Sequence, residues 1–226
     1  MKTRADHLAD GALNGVPPRR RKSTDIELAD ALRALDADPV RVRADCFPGN
    51  LVNLATPGLY SWWVDADGAR DLATGIGIPV IAGRIYAGQT GATQWPSGRT
   101  GEMTLKDRID DSHLRGRVYG STFRKTLAGA LLITLDLDVA APNKLTAPAE
   151  TNLGRWMRDH LEVAVHPLLE RDALGDLEDR LLAILDPPLN IRGRAATPIR
   201  RRLSRLRQQI TVGRRFAPSE DPPRSD

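Results

Sequence analysis

Apolar and polar residues are patterned at a strand-like spacing in three short stretches of the chain. The aromatic and β-branched run Gly58–Val64 predicts a first strand, and residues 84–89 predict a second. Asp67-Gly68, which lies between them, is a strong turn signal. Residues 161–166 alternate apolar and less apolar positions and predict a half-buried third strand.

Helical signals lie around these strands. Capping-box patterns begin at Thr24 and Thr104, and apolar residues recur at helical spacing after Ser121. A further helix must end before Asp186-Pro187-Pro188, because proline disfavours helix at the residue that precedes it. The predicted helices are residues 24–35, one beginning at 104, one beginning at 121 and residues 174–185.

This order of elements predicts an α+β fold, in which helices flank a small, mainly antiparallel three-stranded sheet. A length of 226 residues suits one well-buried domain with tails. The predicted division is a disordered basic tail over 1–22, a helix and linker over 23–56, the folded domain over 57–193, and a basic helix and tail over 194–226.

The net charge of +4 is unevenly distributed along the chain. Residues 1–22 carry +4 and residues 194–226 carry +6, whereas residues 23–193 hold 18 basic and 24 acidic groups, a net −6. An acidic core does not attract phosphate globally, so any affinity for nucleic acid is expected in the tails and local clefts. The C-terminal helix has an apolar edge surrounded by arginines. It is open from the sequence whether this helix docks on the domain, meets a partner or membrane surface, or is simply solvated.

Several classes of protein are excluded. No apolar run approaches the roughly 18 residues of a membrane span, and the N-terminus lacks the apolar region of a signal peptide. The single cysteine, Cys46, rules out a disulfide framework and a thiolate zinc site. We therefore expect a cytoplasmic protein without a membrane partner.

Glu178 occupies an unusual position in its predicted helix. It falls inside the stripe formed by Leu177, Leu181 and Leu185. A carboxylate directed at a core costs several kcal/mol unless a cation or hydrogen-bond donors compensate it. Spacing alone leaves two kinds of partner equally open: Arg108 or another buried base in a structural ion pair, or a metal ion.

Polar side chains of complementary chemistry follow one another along the chain. Two phenols, a guanidinium, a carboxylate and a carboxamide supply the parts needed to hydrolyse a phosphodiester with one hard metal ion. The two phenols stand in Gly58-Leu59-Tyr60 and Tyr86-Ala87-Gly88. Arg108, His113, Glu178 and Asn190 follow in that order. The ordered set resembles the GIY-YIG nuclease superfamily, and residues 113–116 and 121–124 resemble the HLRG and STLR-type blocks of a bacterial subgroup.

The resemblance implies a metal-dependent endonuclease. Tyr60 would be the general base, helped by His113 or Tyr86, and Arg108 would clamp the scissile phosphate. Glu178 would bind Mg²⁺, with Mn²⁺ as the alternative ion. Asn190 would hold Glu178 or the phosphate, or would cap the last loop.

DNA, duplex or branched, is the expected partner, with RNA and a homodimer left open. The residues expected to contact nucleic acid are Arg124, Lys125, Arg200, Arg201, Arg202 and Arg205. The alternative function is a non-catalytic nucleic-acid-binding module that keeps the same fold.

Two features depart from the family pattern. His113 lies five residues after Arg108, about 140° round an ideal helix, so it reaches the site only if that helix ends or bends. The segment between Tyr60 and Tyr86 is longer than a short hairpin, so an insertion must loop out without separating the strands.

Overall fold

A four-stranded antiparallel sheet forms the centre of the domain. The computed structural model describes residues 21–94 and 97–213, so the predictions for residues 1–20 and 214–226 lie outside it. The four strands are β1 (Val42–Arg43), β2 (Gly58–Val64), β3 (Gly83–Thr90) and β8 (Leu161–Pro167). Their order across the sheet is β1-β8-β2-β3. The predicted α+β class with an antiparallel sheet is confirmed, and β1 adds a fourth strand that is too short to show alternation.

Six α-helices accompany the sheet in the described residues: α1 (Asp25–Leu32), α2 (Ala66–Ile76), α3 (Thr122–Ala130), α4 (Ala147–His160), α5 (Arg171–Leu185) and α6 (Pro198–Val212). Two small hairpins, β4 (Thr93–Gln94) with β5 (Arg99–Thr100) and β6 (Val139–Ala141) with β7 (Lys144–Leu145), lie outside the main sheet. Within the described ranges, the segments Arg33–Ala37 and Asp107–Leu114 are π-helical.

The turn predicted at Asp67-Gly68 is wrong, because these residues lie in the first turn of α2. The Asp65 carboxylate accepts a hydrogen bond from the Gly68 N–H and so caps a helix start. Helix α2 fills the long segment between the two tyrosine strands. Helix α4, which was not predicted, begins in the same way at the N-cap Thr146.

Strand β2 is buried on both faces. Tyr60, Trp62 and Val64 belong to a large core shared with α2, α3, α4 and α6. Leu59, which alternates with them, belongs to a second core shared with α1 and α5. The sheet is therefore covered by helices on both sides, and side chains that alternate along β2 enter different cores.

Helix α6 closes the larger core. Leu203, Leu206 and Ile210 are buried, as the apolar edge of the sequence predicted. Helices α3 and α6 approach closely at Gly129, where an added Cβ would lie 3.0 Å from the Arg207 amide nitrogen. Of the arrangements left open by the sequence, α6 thus docks on the domain. No helix in the described part of the chain is long and apolar enough to cross a membrane.

Arg200, one of the arginines predicted to bind nucleic acid, lies in the interior with 3% exposure. Its guanidinium donates to the carbonyls of Asn190 (2.8 Å) and Pro187 (3.0 Å) and to the Asp186 carboxylate (2.9 Å). The structure therefore corrects the prediction: Arg200 fastens α6 to the loop that follows α5 and does not face solvent.

We predict that Arg200→Lys lowers the free energy of unfolding by about 2 kcal/mol or more, because an ammonium cannot reproduce the forked donors. Arg201→Lys, one residue along the same helix on an exposed side chain, should change it by less than about 0.5 kcal/mol. Urea unfolding of both variants measures the difference. Equal stability of the two would contradict an anchoring role for Arg200.

Candidate active site

The phenols of Tyr60 and Tyr86 lie side by side on neighbouring strands. In the β2/β3 pairing Tyr60 is opposite Gly88 and Trp62 is opposite Tyr86, so both tyrosines face the larger core. Their ring centroids are 6.4 Å apart. Both side chains are nearly enclosed, with 1% exposure for Tyr60 and 8% for Tyr86.

The motif glycines provide the space that this arrangement needs. A Cβ on Gly88 would lie 2.8 Å from the Tyr60 hydroxyl oxygen and 3.2 Å from the Tyr86 ring. A Cβ on Gly58 would lie 2.4 Å from the carbonyl oxygen of His166 on β8. Gly88 therefore makes room for the phenol, and Gly58 permits close strand pairing.

The π-helical segment Asp107–Leu114 brings Arg108 and His113 to the same hydroxyl. Arg108 Nε donates to Tyr60 Oη at 3.3 Å, and His113 Nε2 lies 2.9 Å from the same oxygen. In this winding an amide bonds to the carbonyl five residues back, as Arg115 does to Asp110 at 2.8 Å. His113 thus stands one turn above Arg108 and on the same side, which resolves the 140° mismatch expected for an α-helix.

Residues at the start of α3 hold this histidine. Ser121 Oγ lies 2.7 Å from His113 Nδ1. Arg124, which is 2% exposed, donates to the His113 carbonyl at 3.1 Å and pairs with the Glu150 carboxylate at 3.0 Å. The structure therefore places Arg124 inside the fold, where it satisfies carbonyls at the end of the π-helical segment, and not on a surface open to nucleic acid.

Burial is the main cause of the pKa shifts of Tyr60, Tyr86 and His113. It raises the pKa of Tyr60, although the positive charge and hydrogen bond of Arg108 oppose it. Burial also raises the pKa of Tyr86 well above its usual value. The pKa of His113 is held well below its usual value by burial and by the charges of Arg108 and Arg124, so the imidazole is neutral near pH 7.

A cleft of about 880 Å³ opens beside these residues. Arg108, Glu178 of α5 and Arg192 line it, together with the loops around residues 89–94 and 101–103. Glu178 is half-buried, so its part of the helix forms the cleft wall and not the core. Its negative charge contributes to raising the pKa of both phenols, after the larger effect of burial.

Glu178 is one of three acidic residues that line the cleft, with Glu102 and Asp179, and a carboxylate there suits a hard cation that keeps most of its water. Among residues 21–94 and 97–213, no three His, Cys, Asp or Glu side chains lie together so that they could hold a metal ion. Mg²⁺ does not need three protein ligands, because it is commonly held by one or two carboxylates and by substrate phosphates. Glu178 beside the cationic Arg108 fits that pattern.

Asn190 has a partner that the sequence did not indicate. Its side-chain amide donates to the Ala87 carbonyl at 2.8 Å and accepts from the Ala87 N–H at 3.0 Å. The Leu189 N–H also bonds to the Ile85 carbonyl at 3.0 Å. Asn190 thus binds the outer edge of β3 on both sides of Ala87, between Tyr86 and Gly88.

The remaining basic residues predicted to bind nucleic acid occupy different environments. Lys125 donates to the Asn143 side chain at 2.7 Å, and Arg202 donates to the Ile76 carbonyl at 3.0 Å. Arg201 and Arg205 are exposed and line a second cavity of about 540 Å³ together with Arg194. Of the predicted set, Arg201 and Arg205 are the two best placed to meet a phosphate.

Two residues of the site were missed by the sequence analysis. Ser121 carried a visible signal, since it begins a predicted helix, but an N-cap serine gives no hint of a contact with His113. Arg192 lies two residues beyond Asn190 and lines the cleft. It was not distinguishable from the many other arginines in the chain.

Comparison with known protein families gives a match over most of the chain. Residues 58–209 match the family described as the GIY-YIG catalytic domain, which covers more than half of the chain. No curated protein and no solved structure is similar enough to the chain to count as a match. The matched region runs from Gly58 through both tyrosines and Glu178 into α6.

The depressed pKa of His113 predicts how stability depends on pH. The unfolded chain binds a proton at this histidine below about pH 6.5, whereas the folded chain does not, so stability should fall as pH drops below that value. The slope from His113 is at most about 1.4 kcal/mol per pH unit. Urea unfolding between pH 5 and 7 measures it, and His113→Gln should flatten the curve.

His166 serves as the control, because burial lowers its pKa in the same direction. His166→Gln should retain most of the slope if His113 is the main source. Identical slopes for the unmodified chain and His113→Gln would show that His113 titrates normally in the folded protein.

Proposed function

The chain belongs to the GIY-YIG catalytic domain family, which supports a nuclease activity in general, and on this basis we propose that it is a Mg²⁺-dependent endonuclease that hydrolyses DNA phosphodiester bonds. The observation that carries the proposal is the convergence of Arg108 and His113 on one phenolic oxygen, at 3.3 and 2.9 Å, beside a cleft that Arg108 and Glu178 line.

Tyr60 is the proposed general base. In its ionised form its oxygen would take a proton from the attacking water while the water oxygen bonds to phosphorus; the bond to the 3′ oxygen breaks, and that oxygen leaves as an alkoxide that a water molecule protonates. A phenol with an elevated pKa is a poor base until nearby donors and positive charge favour its ionised form. Arg108 supplies one such donor directly and also lines the cleft.

Arg108 and Glu178 have complementary tasks on the phosphate. The Arg108 guanidinium would stabilise the negative charge that grows on the phosphoryl oxygens. Glu178 would hold Mg²⁺, or Mn²⁺ in its place, and the ion would supply further positive charge at the phosphate. Asn190 would act at a distance, by fixing the strand that carries Tyr86.

The arginine-lined cavity supports DNA as the partner. Arg192 lines the cleft, and Arg194, two residues on, lines the second cavity with Arg201 and Arg205. Cationic side chains thus continue from the proposed site along α6. We propose that the strand leaving the cleft passes this cavity, where the arginines bind its phosphates.

We predict that Glu178→Gln lowers the rate of plasmid cleavage in Mg²⁺ at least about 100-fold, because it removes the anionic ligand but keeps the size of the side chain. Glu162→Gln is the control, since Glu162 pairs with Arg41 on another part of the surface. DNA affinity in Ca²⁺ should stay close to that of the unmodified chain. Cleavage by Glu178→Gln at the normal rate would contradict the metal assignment.

Replacing Arg201 and Arg205 together with Gln should weaken DNA binding and reduce its salt dependence. Loss of two phosphate contacts lowers the slope of log K against log salt by roughly 1.8. The slope is measured with Glu178→Gln as the background, so that no DNA is cut. The double variant Arg33→Gln, Arg70→Gln is the control, because both side chains are exposed on other helical segments.

These two tests also separate the enzyme from the alternative, a non-catalytic binding module. A module of that kind would bind DNA with the same dependence on Arg201 and Arg205. It would show no cleavage in Mg²⁺ or Mn²⁺ at any protein concentration.

A further inference from the structure

Ser121, His113 and Tyr60 form a buried chain of hydrogen bonds. Ser121 Oγ lies 2.7 Å from His113 Nδ1, and His113 Nε2 lies 2.9 Å from Tyr60 Oη. The three residues are at most 1% exposed. Water therefore cannot easily supply a missing hydrogen-bond partner, and each proton in the chain must be assigned to an atom of the protein.

The donors around Ser121 fix the direction of its hydroxyl proton. Ser121 is the N-cap of α3, and its Oγ already accepts the Arg124 N–H at 3.0 Å. The only other hydrogen bond of this Oγ within the described part of the chain is the one with His113. A hydroxyl has one proton to donate, so the balanced arrangement gives that proton to His113 Nδ1.

The reverse arrangement is less favourable. If His113 carried its proton on Nδ1, Ser121 Oγ would accept two N–H groups, and its own proton would have no acceptor among the described residues. A buried hydroxyl left in this way loses the free energy of a hydrogen bond that water made in the unfolded chain. The count of donors and acceptors at Ser121 therefore favours the imidazole form that is protonated on Nε2.

We propose that Ser121 is a positioning residue, which holds His113 in its Nε2–H form and thereby makes His113 a hydrogen-bond donor to Tyr60. Tyr60 Oη then accepts from His113 Nε2 and from Arg108 Nε at 3.3 Å. Two donors on one phenolic oxygen favour its ionised form, as donors do at an oxyanion. His113 assists the base by stabilising its charge and does not itself remove a proton.

The effect of the Nε2–H form on catalysis rests on the proposed function, whereas the position of the proton does not. Neutral imidazole has two forms, and they act on Tyr60 in opposite ways. In the form protonated on Nδ1, Nε2 would accept the Tyr60 proton and His113 would be the base. In the form favoured by Ser121, Tyr60 Oη accepts two N–H groups, a count that is balanced when the phenol is ionised and carries no proton of its own.

The proton position can be measured directly. Nitrogen-15 NMR of the full chain labelled in histidine distinguishes a protonated ring nitrogen from a bare one, and the His113 signals are those lost in His113→Gln. We expect the proton on Nε2 near pH 7. A proton on Nδ1 would overturn the proposal. Because this spectrum needs no substrate, it decides the assignment even if the protein proves to cut no DNA.

Substitutions at Ser121 provide the second test. Ser121→Thr keeps the hydroxyl and should keep both the Nε2–H form and the rate. Ser121→Ala removes the donor, so the two imidazole forms should mix, and kcat should fall roughly 10- to 100-fold with little change in KM, as when other orienting partners of a functional histidine are removed.

The loss of a helix cap must be separated from the loss of the donor. Thr146→Ala removes the equivalent cap of α4, whose hydroxyl accepts from the Ala149 N–H. It should cost similar stability and leave kcat unchanged. An equal fall in kcat for Thr146→Ala and Ser121→Ala, or a normal kcat with an unmixed spectrum for Ser121→Ala, would overturn the proposal.

Discussion

The buried hydroxyl of Tyr60 is the constraint on which the rest of the site depends. A phenol enclosed on a central strand needs partners, and here they come from the π-helical segment Asp107–Leu114 in the form of Arg108 and His113. Those partners need support in turn, which α3 provides through Ser121 and Arg124. The sequence blocks at residues 113–116 and 121–124 therefore work as one unit, because the second block holds the His113 ring that belongs to the first.

The sequence predicted the strands of the central sheet where burial produces alternation or an aromatic run, and it predicted α1 and α5 from caps and periodicity. It could not predict the π-helical winding, since that depends on Leu105 and Lys106 being hydrogen-bonded to the loop before β2 and on Arg124 satisfying the carbonyls at the far end. The position of His113 depends on this winding. For the same reason, an angle calculated for an ideal α-helix placed it on the wrong side.

Arginines were the least predictable residues of the chain. Arg124 and Arg200 are buried and hold backbone carbonyls, whereas Arg201 and Arg205 are exposed beside a cavity. Nothing in their neighbouring sequence separates the two kinds, because the same forked donors serve a carbonyl inside a fold and a phosphate outside it. The charge of the C-terminal region is consequently a poor measure of the charge available to a ligand, since part of it serves to join α6 to the core.

The contact between Asn190 and Ala87 connects residues 103 positions apart. It covers the outer edge of the strand that carries Tyr86, and Arg200 then fixes the loop on which Asn190 stands. A ribosome completes the two tyrosine strands long before it reaches these residues. The nascent chain thus carries both phenols while β3 still has an open edge, and the residues that cover that edge, Leu189 and Asn190, are made about 100 residues later. Both phenols are therefore made before the residues that complete their surroundings, and the site can assemble only after the ribosome has passed Asn190.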